Sequence, residues 1–267
     1  MLTPDLAIFI GVNIFDIFAV FESYGSRVFW DKTFEDATLL EDINNTSNLW
    51  YFKTKPVWPA NARDNVLVTT SYKSMSSIHC FGFTAHDTSL FPSIPPMTTN
   101  LIRSQTDLSG VAIESLSPTT VQVTILEQSD PKGWQNKSGI PQILTQQLSG
   151  IGEFAIKYGG PPILTDITNG RALTSHYDHD KANYKLEYEM ILPFDTLVPV
   201  QSQEELHPNR TKETFTITCL LRCDLDIWAN SIDVIIDPPA TDVDCIRRHR
   251  LSAKGGGVWI TIKHKGM

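Results

Sequence analysis

Five stretches of alternating polar and apolar side chains constrain the fold of this chain more than any other feature of its sequence. They are SNLWYFKTK, NVLVTTSYK, SIHCFGFTA, GVAIESLS and TTVQVTILEQ, and all lie between residues 47 and 128. A period of two residues is typical of a β-strand whose two faces differ. Pro, Gly, Ser or Asp signals separate the stretches, so we predict an antiparallel meander with connecting loops.

Helical spacing occurs on both sides of this predicted sheet. Before it, Asn13 is a candidate N-cap for a helix over residues 14–21, and apolar spacing predicts a second helix over 34–43. After it, an apolar stripe over 143–158 predicts one long amphipathic helix, which the sequence GGPP ends. The first unit therefore has two helices, a sheet and a third helix, which together define an α+β fold.

The rest of the chain predicts a second unit that is rich in strands. A polar stretch at 165–183 is predicted to be a linker, and four strand patterns follow it: YKLEYEMIL, TFTITCLLRC, SIDVIID and GVWITIKHK. A length of 267 residues is compatible with two modest domains. We therefore divide the chain into residues 1–164, this linker, and a β-rich unit at 184–267 whose role its composition does not indicate.

The charge distribution argues against a nucleic-acid partner. The chain has 22 Lys and Arg against 30 Asp and Glu, a formal net charge of −8, and an acidic chain is a poor ligand for nucleic acid. Residues 245–267 nevertheless hold six basic residues and no acid. This basic end either faces anionic lipid head groups, at about 1 kcal/mol per residue, or is a solvated strand end.

The N-terminal sequence predicts neither secretion nor a membrane span. It lacks the basic region and cleavage site of a signal peptide, and Asn13 and Asp16 interrupt an apolar run that falls short of about 20 residues. Four scattered cysteines are too few for a disulfide framework. We therefore expect a cytoplasmic protein, and the basic C-terminal end favours its reversible association with a membrane.

Several motifs occur together in a fixed order. VFWD at 28–31 precedes KPVWPANARD at 55–64, LIRS at 101–104 and SPTTVQVTILEQSDPKGW at 117–134, and IPQILTQQLSGIGEFAIKYG follows. In this order they resemble the START (StAR-related lipid transfer) family over about residues 5–164, with loops similar to those of its ceramide-transfer branch. The resemblance implies a helix-grip fold, a curved antiparallel sheet around a long C-terminal helix. Such a domain encloses one lipid and moves it between membranes without chemistry.

The lipid-binding residues that we predict come from alternation and from this resemblance. Leu67, Thr69 and Ser71 share one face of a strand and are expected to line the cavity, while apolar residues of the long helix close it. The remaining positions follow from the family's motifs. The predicted lipid-binding set is Arg27, Asp31, Phe52, Leu67, Thr69, Ser71, Phe81, Leu144, Leu148 and Ile151.

Five of these positions bear on the choice of lipid. Arg27 and Asp31 match an Arg and an acid that the ceramide-transfer branch uses, but their spacing is also that of an ordinary helical ion pair. Phe52 and Phe81 align with two amide side chains of that branch, so the resemblance implies a more apolar pocket. Thr69 stands where cholesterol-binding members carry an Arg. The ligand stays open between a sterol, a ceramide-like lipid and a glycerolipid.

Two residues are candidates for docking to a membrane. Trp58 falls on the loop that inserts into the bilayer in the ceramide-transfer branch, and an indole suits the interface between lipid and water. The alternative for Trp58 is a place in the core. Met75, in the hairpin YKSMSS, is a second candidate of the same kind.

Compared with the family, this chain begins late, so that either the sequence is truncated or the fold is trimmed. The family has a helix and a strand pair before the segment where this chain begins, and a sheet without them exposes an edge. We hypothesise that strands from residues 184–267 cover this edge with hydrogen bonds. A β-rich unit of this kind is also the basis of the alternative function, a lipid sensor or scaffold that binds a protein partner.

Metal binding and catalysis have weaker support. Cys219, Cys223, Cys245 and His249 superficially resemble zinc ligands, but strand residues four apart are separated by roughly 13 Å, too far to share an ion. The sequence has no nucleophile elbow, phosphate loop, dinucleotide fingerprint or zincin helix. We expect neither a metal nor another cofactor, and a lipid-metabolising enzyme on the same fold is the least supported interpretation.

Overall fold

The structure, a computed structural model, describes residues 3–44, 46–56, 61–74, 76–133, 140–191, 216–228, 231–252 and 255–265. Within these ranges the helices are Ile14–Glu22 (α1), Tyr24–Trp30 (α2), Ile140–Tyr158 (α3) and Leu225–Trp228 (α4). The strands are Thr3–Ile10 (β1), Phe34–Asn44 (β2), Ser47–Thr54 (β3), Arg63–Lys73 (β4), Ser77–Thr84 (β5), Ile102–Arg103 (β6), Gln105–Ser117 (β7), Thr120–Asp130 (β8), Ile163–Thr168 (β9), Gly170–Asp178 (β10), Asn183–Met190 (β11), Thr216–Cys223 (β12), Asp242–Arg248 (β13) and Gly257–Lys265 (β14).

The described strands of the first unit form one large sheet. Its eight strands include the path β1-β8-β7-β5-β4-β3-β2, and the short β6 pairs with β4. Neighbouring strands along the path are antiparallel, whereas β6 is parallel to β4. The five stretches that alternate in the sequence are β3, β4, β5, β7 and β8, so the predicted meander is confirmed.

Helix α1 begins at a capping box, where the sequence predicted an N-cap. Asn13 Oδ1 accepts hydrogen bonds from the N–H groups of Phe15 (2.9 Å) and Asp16 (3.1 Å). Asp16 Oδ2 accepts one in return from the N–H of Asn13 (3.0 Å). The box satisfies N–H groups that have no partner within the helix, and Ile17 and Phe18 on its apolar face are buried in the core.

The helix that we predicted over 34–43 is wrong, because these residues belong to strand β2. Register shifts interrupt the pairing of β2 with β3 at three places. Each irregularity changes the face to which the following side chains point. The apolar residues of β2 therefore lose their period of two and imitate helical spacing. The second helix is α2, which precedes this strand.

Helix α3 confirms the long helix that the apolar stripe predicted, and it packs closely against its neighbours. A Cβ at Gly150 would lie 2.5 Å from the carbonyl oxygen of Trp30, and a Cβ at Gly152 would lie 2.0 Å from the ring of Phe9. A glycine inside a helix costs about 1 kcal/mol relative to alanine. At these two positions it permits α3 to approach the end of α2 and strand β1.

The described residues of the second unit form two further sheets. One has the order β13-β14-β12-β9, and the other is the hairpin of β10 and β11. Three of the four predicted strands are confirmed as β11, β12 and β14, whereas 231–237 does not form a strand. Residues 165–183, which we predicted to be a linker, hold most of β9 and all of β10. The many polar residues of β10 are exposed, so its sequence lacks an apolar alternation.

The hypothesis that C-terminal strands cover an edge of the large sheet is wrong for the described residues. β1 and β2 are the edges of this sheet, and no strand of the other two sheets pairs with either. Strand β10 approaches β2 through a side chain instead, since the N–H of Ala172 donates to Asp42 Oδ2 at 2.8 Å. The irregular pairing of β2 makes it a poor template for another strand.

A buried ion pair joins the second unit to α1. Arg222 of β12 is fully buried, and its Nη2 lies 2.6 Å from Asp16 Oδ1 and 2.9 Å from the carbonyl oxygen of Gly256. Asp224 lies close to this pair. Burial and then the neighbouring charge of Asp16 raise the pKa of Asp224 to about 6. Two carboxyl groups thus share one buried guanidinium at the boundary between the units.

Candidate functional site

A cavity of about 320 Å³ lies between the large sheet and the helices α1, α2 and α3. This volume is at the lower end of the range of about 300–1,000 Å³ that is usual for small-molecule sites. Polar and apolar side chains both line it. We call it the lipid cavity, and we call the sheet face that packs against the helices the inner face.

The register of β4 and β5 determines which residues lie on the inner face. Thr69 pairs with Gly82, and Ser71 pairs with Cys80. Paired residues on neighbouring strands point to the same face, and all four line the lipid cavity together with Leu67. Because Gly82 has no side chain, the space over Thr69 stays open.

The structure places nine of the ten predicted lipid-binding residues at the wall of this cavity. Leu148 is the exception, because it is buried in the core beside the cavity rather than on its wall. The apolar stripe of α3 is wider than the cavity that it covers. The nine are Arg27, Asp31, Phe52, Leu67, Thr69, Ser71, Phe81, Leu144 and Ile151, and their roles in binding stay predictions.

Phe81 borders the cavity differently from the other eight. Its neighbours Cys80 and Gly82 point to the inner face, so alternation along β5 directs the Phe81 ring to the opposite face. The side chain is 45% exposed and lies beside Gly110 on that face. The Phe52 ring points inward, where it contacts Tyr24, and the role of both phenylalanines in shaping the pocket stays a prediction.

Arg27 and Asp31 form an ion pair at the wall of the cavity. Arg27 Nη2 lies 2.9 Å from Asp31 Oδ2, to which Gln147 Nε2 also donates at 3.0 Å. Burial alone would raise the pKa of Asp31, but the Arg27 charge and hydrogen bonds from Thr33 outweigh it and lower this pKa. Arg27 and Asp31 thus form a helical ion pair and also line the cavity, so the two interpretations that their spacing allowed are compatible.

Several polar residues of the wall were missed by the sequence analysis. One of these is Asn65, whose Nδ2 donates to Thr106 Oγ1 at 2.9 Å and whose Oδ1 accepts from Thr84 Oγ1 at 3.0 Å. Glu127 of β8 is another, and burial raises its pKa while hydrogen bonds from serines oppose the rise. Alternation could have found both, because Asn65 and Leu67 share one face of β4 and Glu127 continues the inner face of β8.

Two arginines connect the motifs that we identified in the sequence. Arg63 donates from Nε to the carbonyl oxygen of Pro131 (2.8 Å) and from Nη1 to that of Asn61 (2.9 Å). Arg103 donates to both carboxylate oxygens of Asp64, each at 2.8 Å. These hydrogen bonds join the motifs at 55–64, 101–104 and 117–134 at one end of the cavity, which we call the loop end.

The two candidates for membrane docking, Trp58 and Met75, lie outside the described residues. In the part of the chain that the structure describes, no helix is long and apolar enough to span a bilayer. The described residues also bring no three His, Cys, Asp or Glu side chains together as a metal site would.

A large antiparallel sheet that packs on a long C-terminal helix and leaves an internal cavity is the helix-grip fold, and the prediction of an α+β fold of this kind is confirmed. The START domain family model matches residues 11–151. The chain therefore belongs to the START family, whose members bind lipids and transfer them. The β-rich region lies beyond this match.

Solved structures show the same fold. Human STARD10 is 18% identical with a TM-score of 0.50, and the alignment covers 59% of this chain and 66% of that chain, which is just under two thirds. Human StAR-related lipid transfer protein 5 is also 18% identical with a TM-score of 0.50, over 57% of this chain and 74% of that chain. No curated protein sequence matches this chain.

Proposed function

We propose that this protein binds a single lipid in the lipid cavity and transfers it between membranes without catalysis. The observation that supports this proposal most directly is the cavity of about 320 Å³, which α3 covers with Leu144 and Ile151. Its inner face offers Leu67 beside Thr69 and Ser71, a mixture that suits an amphipathic ligand. The family of the chain supports the same proposal.

A role without catalysis agrees with the chemistry of the described wall. Cys80 has a thiol at the wall, but burial, followed by the charge of Glu22, raises its pKa well above the ordinary value. A protonated thiol is a poor nucleophile. Cys80 therefore does not give this wall an activated nucleophile.

The proposal includes reversible association with a membrane from the cytoplasm. Trp58 and Met75 are the proposed contacts, and the basic residues of 245–267 are proposed to favour an anionic surface. In the sequence, Trp58 lies between β3 and β4, and β4 begins with Arg63 of the loop end. We propose that a lipid that leaves the cavity at the loop end enters the membrane directly.

Mass spectrometry of the purified protein tests the proposal. The protein is incubated with mixed liposomes, and the lipid extracted from it afterwards is identified. Native mass spectrometry of the intact complex gives the number of lipid molecules per chain. We expect one class of lipid at one molecule per chain, and transfer of that lipid between donor and acceptor vesicles at substoichiometric protein. Absence of any bound lipid would refute the proposal, and binding without transfer would favour the lipid sensor.

A further inference from the structure

A second, smaller cavity of about 120 Å³ adjoins the lipid cavity at the end away from Arg63 and Pro131. Four residues line both spaces, and these are Glu22, Thr46, Asn48 and Ser71. Residues that two cavities share form the boundary between them. The two cavities are therefore neighbours with a common wall at this end, and we call the smaller one the seam pocket.

The far wall of the seam pocket belongs to the β-rich unit. It consists of residues from β9 and β10, among them Thr165, Asp166 and Ala172. All of them lie beyond residues 11–151, which the START family model matches. The appended unit thus contributes a wall that the START segment does not supply.

Lys73 and Glu22 bring opposite charges to the seam pocket. Lys73 Nζ donates to the carbonyl oxygen of Thr165 at 2.9 Å and lies 5.4 Å from the centre of the Phe18 ring, so it is already engaged. Glu22 makes no hydrogen bond and no ion pair with any residue that the structure describes. Burial raises the pKa of Glu22, and the charge of Lys73 opposes this rise. A hydrogen-bond partner for the Glu22 carboxyl would therefore have to come from a molecule in the cavity.

Acids outnumber bases on the described wall of the seam pocket. Glu22, Asp42 and Asp166 stand against Lys73 alone. Asp42 accepts from the N–H of Ala172 at 2.8 Å, so Glu22 is the acid that a ligand would reach from the lipid cavity. A phosphate in this pocket would be repelled by the excess of negative charge. A hydrogen-bond donor would instead satisfy the unpaired carboxyl.

We propose that the seam pocket binds the polar end of the lipid, and that this end is a hydroxyl or an amine that donates a hydrogen bond to Glu22. The inference rests on the proposed function, because it requires a lipid in the adjoining cavity. The apolar part of the ligand then lies against Leu67 and Leu144, and its polar end lies between α1 and β9. The β-rich unit is in this way part of the binding site.

Vesicles of phosphatidylcholine that contain equal amounts of cholesterol, diacylglycerol, sphingosine and phosphatidic acid test this assignment. Diacylglycerol and phosphatidic acid differ only by a phosphate, and sphingosine supplies an amine. After incubation with wild-type protein, we expect cholesterol, diacylglycerol or sphingosine in the extract. Recovery of phosphatidic acid or phosphatidylcholine as the main ligand would overturn the assignment of a donor while leaving the proposed function intact.

Two variants, each with a matched control, test where the polar end of the lipid lies. Glu22→Gln should lower the amount of bound lipid about tenfold, because a hydrogen bond to a charged group is stronger than one to a neutral group. Glu153→Gln removes an exposed carboxylate of α3 and is the matched control. Ala172→Phe fills the seam pocket from the β-rich unit and should also reduce binding. Leu173→Phe alters the adjacent exposed residue and should not.

Circular dichroism and a thermal melt establish that each variant is folded. Equal lipid binding by wild type and Glu22→Gln would overturn the role of Glu22, whether or not Ala172→Phe folds. Binding of no lipid by the wild type would instead refute the proposed function and this inference with it.

Discussion

Asp224→Asn is expected to stabilise the folded protein at neutral pH. Asp224 Oδ1 accepts hydrogen bonds from the N–H groups of Asp226 (2.8 Å) and Ile227 (3.0 Å), and an asparagine oxygen at the same place retains both. The amide of Asn can also donate to Asp16, as the protonated carboxyl of Asp224 does. The substitution therefore removes one buried charge and keeps the shape and the hydrogen bonds of the site.

The magnitude follows from the pKa of Asp224. Burial and the charge of Asp16 raise this pKa to about 6, against 3.8 for an unperturbed aspartate. Below both pKa values, Asp224 is protonated in the folded and in the unfolded protein and does not change the free energy of unfolding. As pH rises from about 4 to about 6, the unfolded chain loses its proton first, and the free energy of unfolding falls. The loss is complete above about pH 6 and is on the order of 3 kcal/mol.

Urea denaturation of wild type and variant across pH measures this effect. We expect Asp224→Asn to raise the free energy of unfolding by about 3 kcal/mol at pH 7.5. This increase should disappear toward pH 4. Asp226→Asn is the control, because that side chain is 63% exposed and its replacement should change stability by no more than about 0.5 kcal/mol. A variant that is no more stable than wild type at pH 7.5 would show that Asp224 is not a buried, destabilising charge.

Three further substitutions test other parts of the structure. Gly150→Ala should lower the free energy of unfolding by about 1–3 kcal/mol despite better helix propensity, because its Cβ would lie 2.5 Å from a carbonyl oxygen of Trp30; a more stable variant would contradict the close approach of α3. Arg27→Met should cost about 2–3 kcal/mol at pH 7 and less as the pH falls and protonation of Asp31 removes the unpaired charge; a loss that does not change with pH in urea titrations would be inconsistent with this. Trp58→Ala should weaken binding to vesicles in a flotation assay without changing the thermal melt, and unchanged flotation would count against docking through this residue.

The strands of the large sheet could be predicted wherever the pairing is regular. In β4 and β5 each strand has one face toward the helices and one face away from them, so the period of two persists over the whole strand. Strand β2 lacks this regularity because its register shifts, and β10 lacks it because few of its residues are buried. Alternation of polar and apolar residues reflects the burial of one face of a strand. It therefore does not reveal a strand that lies at the edge of a sheet or in solvent.

The cavity could be predicted from the sequence only in part, for a related reason. Thr69 and Ser71 were found because alternation assigns them to the face of Leu67. Phe81 was chosen from the resemblance to the family, and alternation with Cys80 directs its ring to the other face of the sheet. Glu22 could not be found, because it lies at the end of a helix and faces the same pocket as β9 only through the arrangement of the two units.

The guanidinium of Arg63 has a consequence for how a ligand enters the cavity. It reaches carbonyl oxygens on both sides of the loop end, at Asn61 before β4 and at Pro131 and Lys132 after β8. Two rims held by one side chain move together, since neither can swing outward without stretching hydrogen bonds to the other. To open this end of the cavity, Arg63 must therefore release its carbonyl partners on at least one of the two rims.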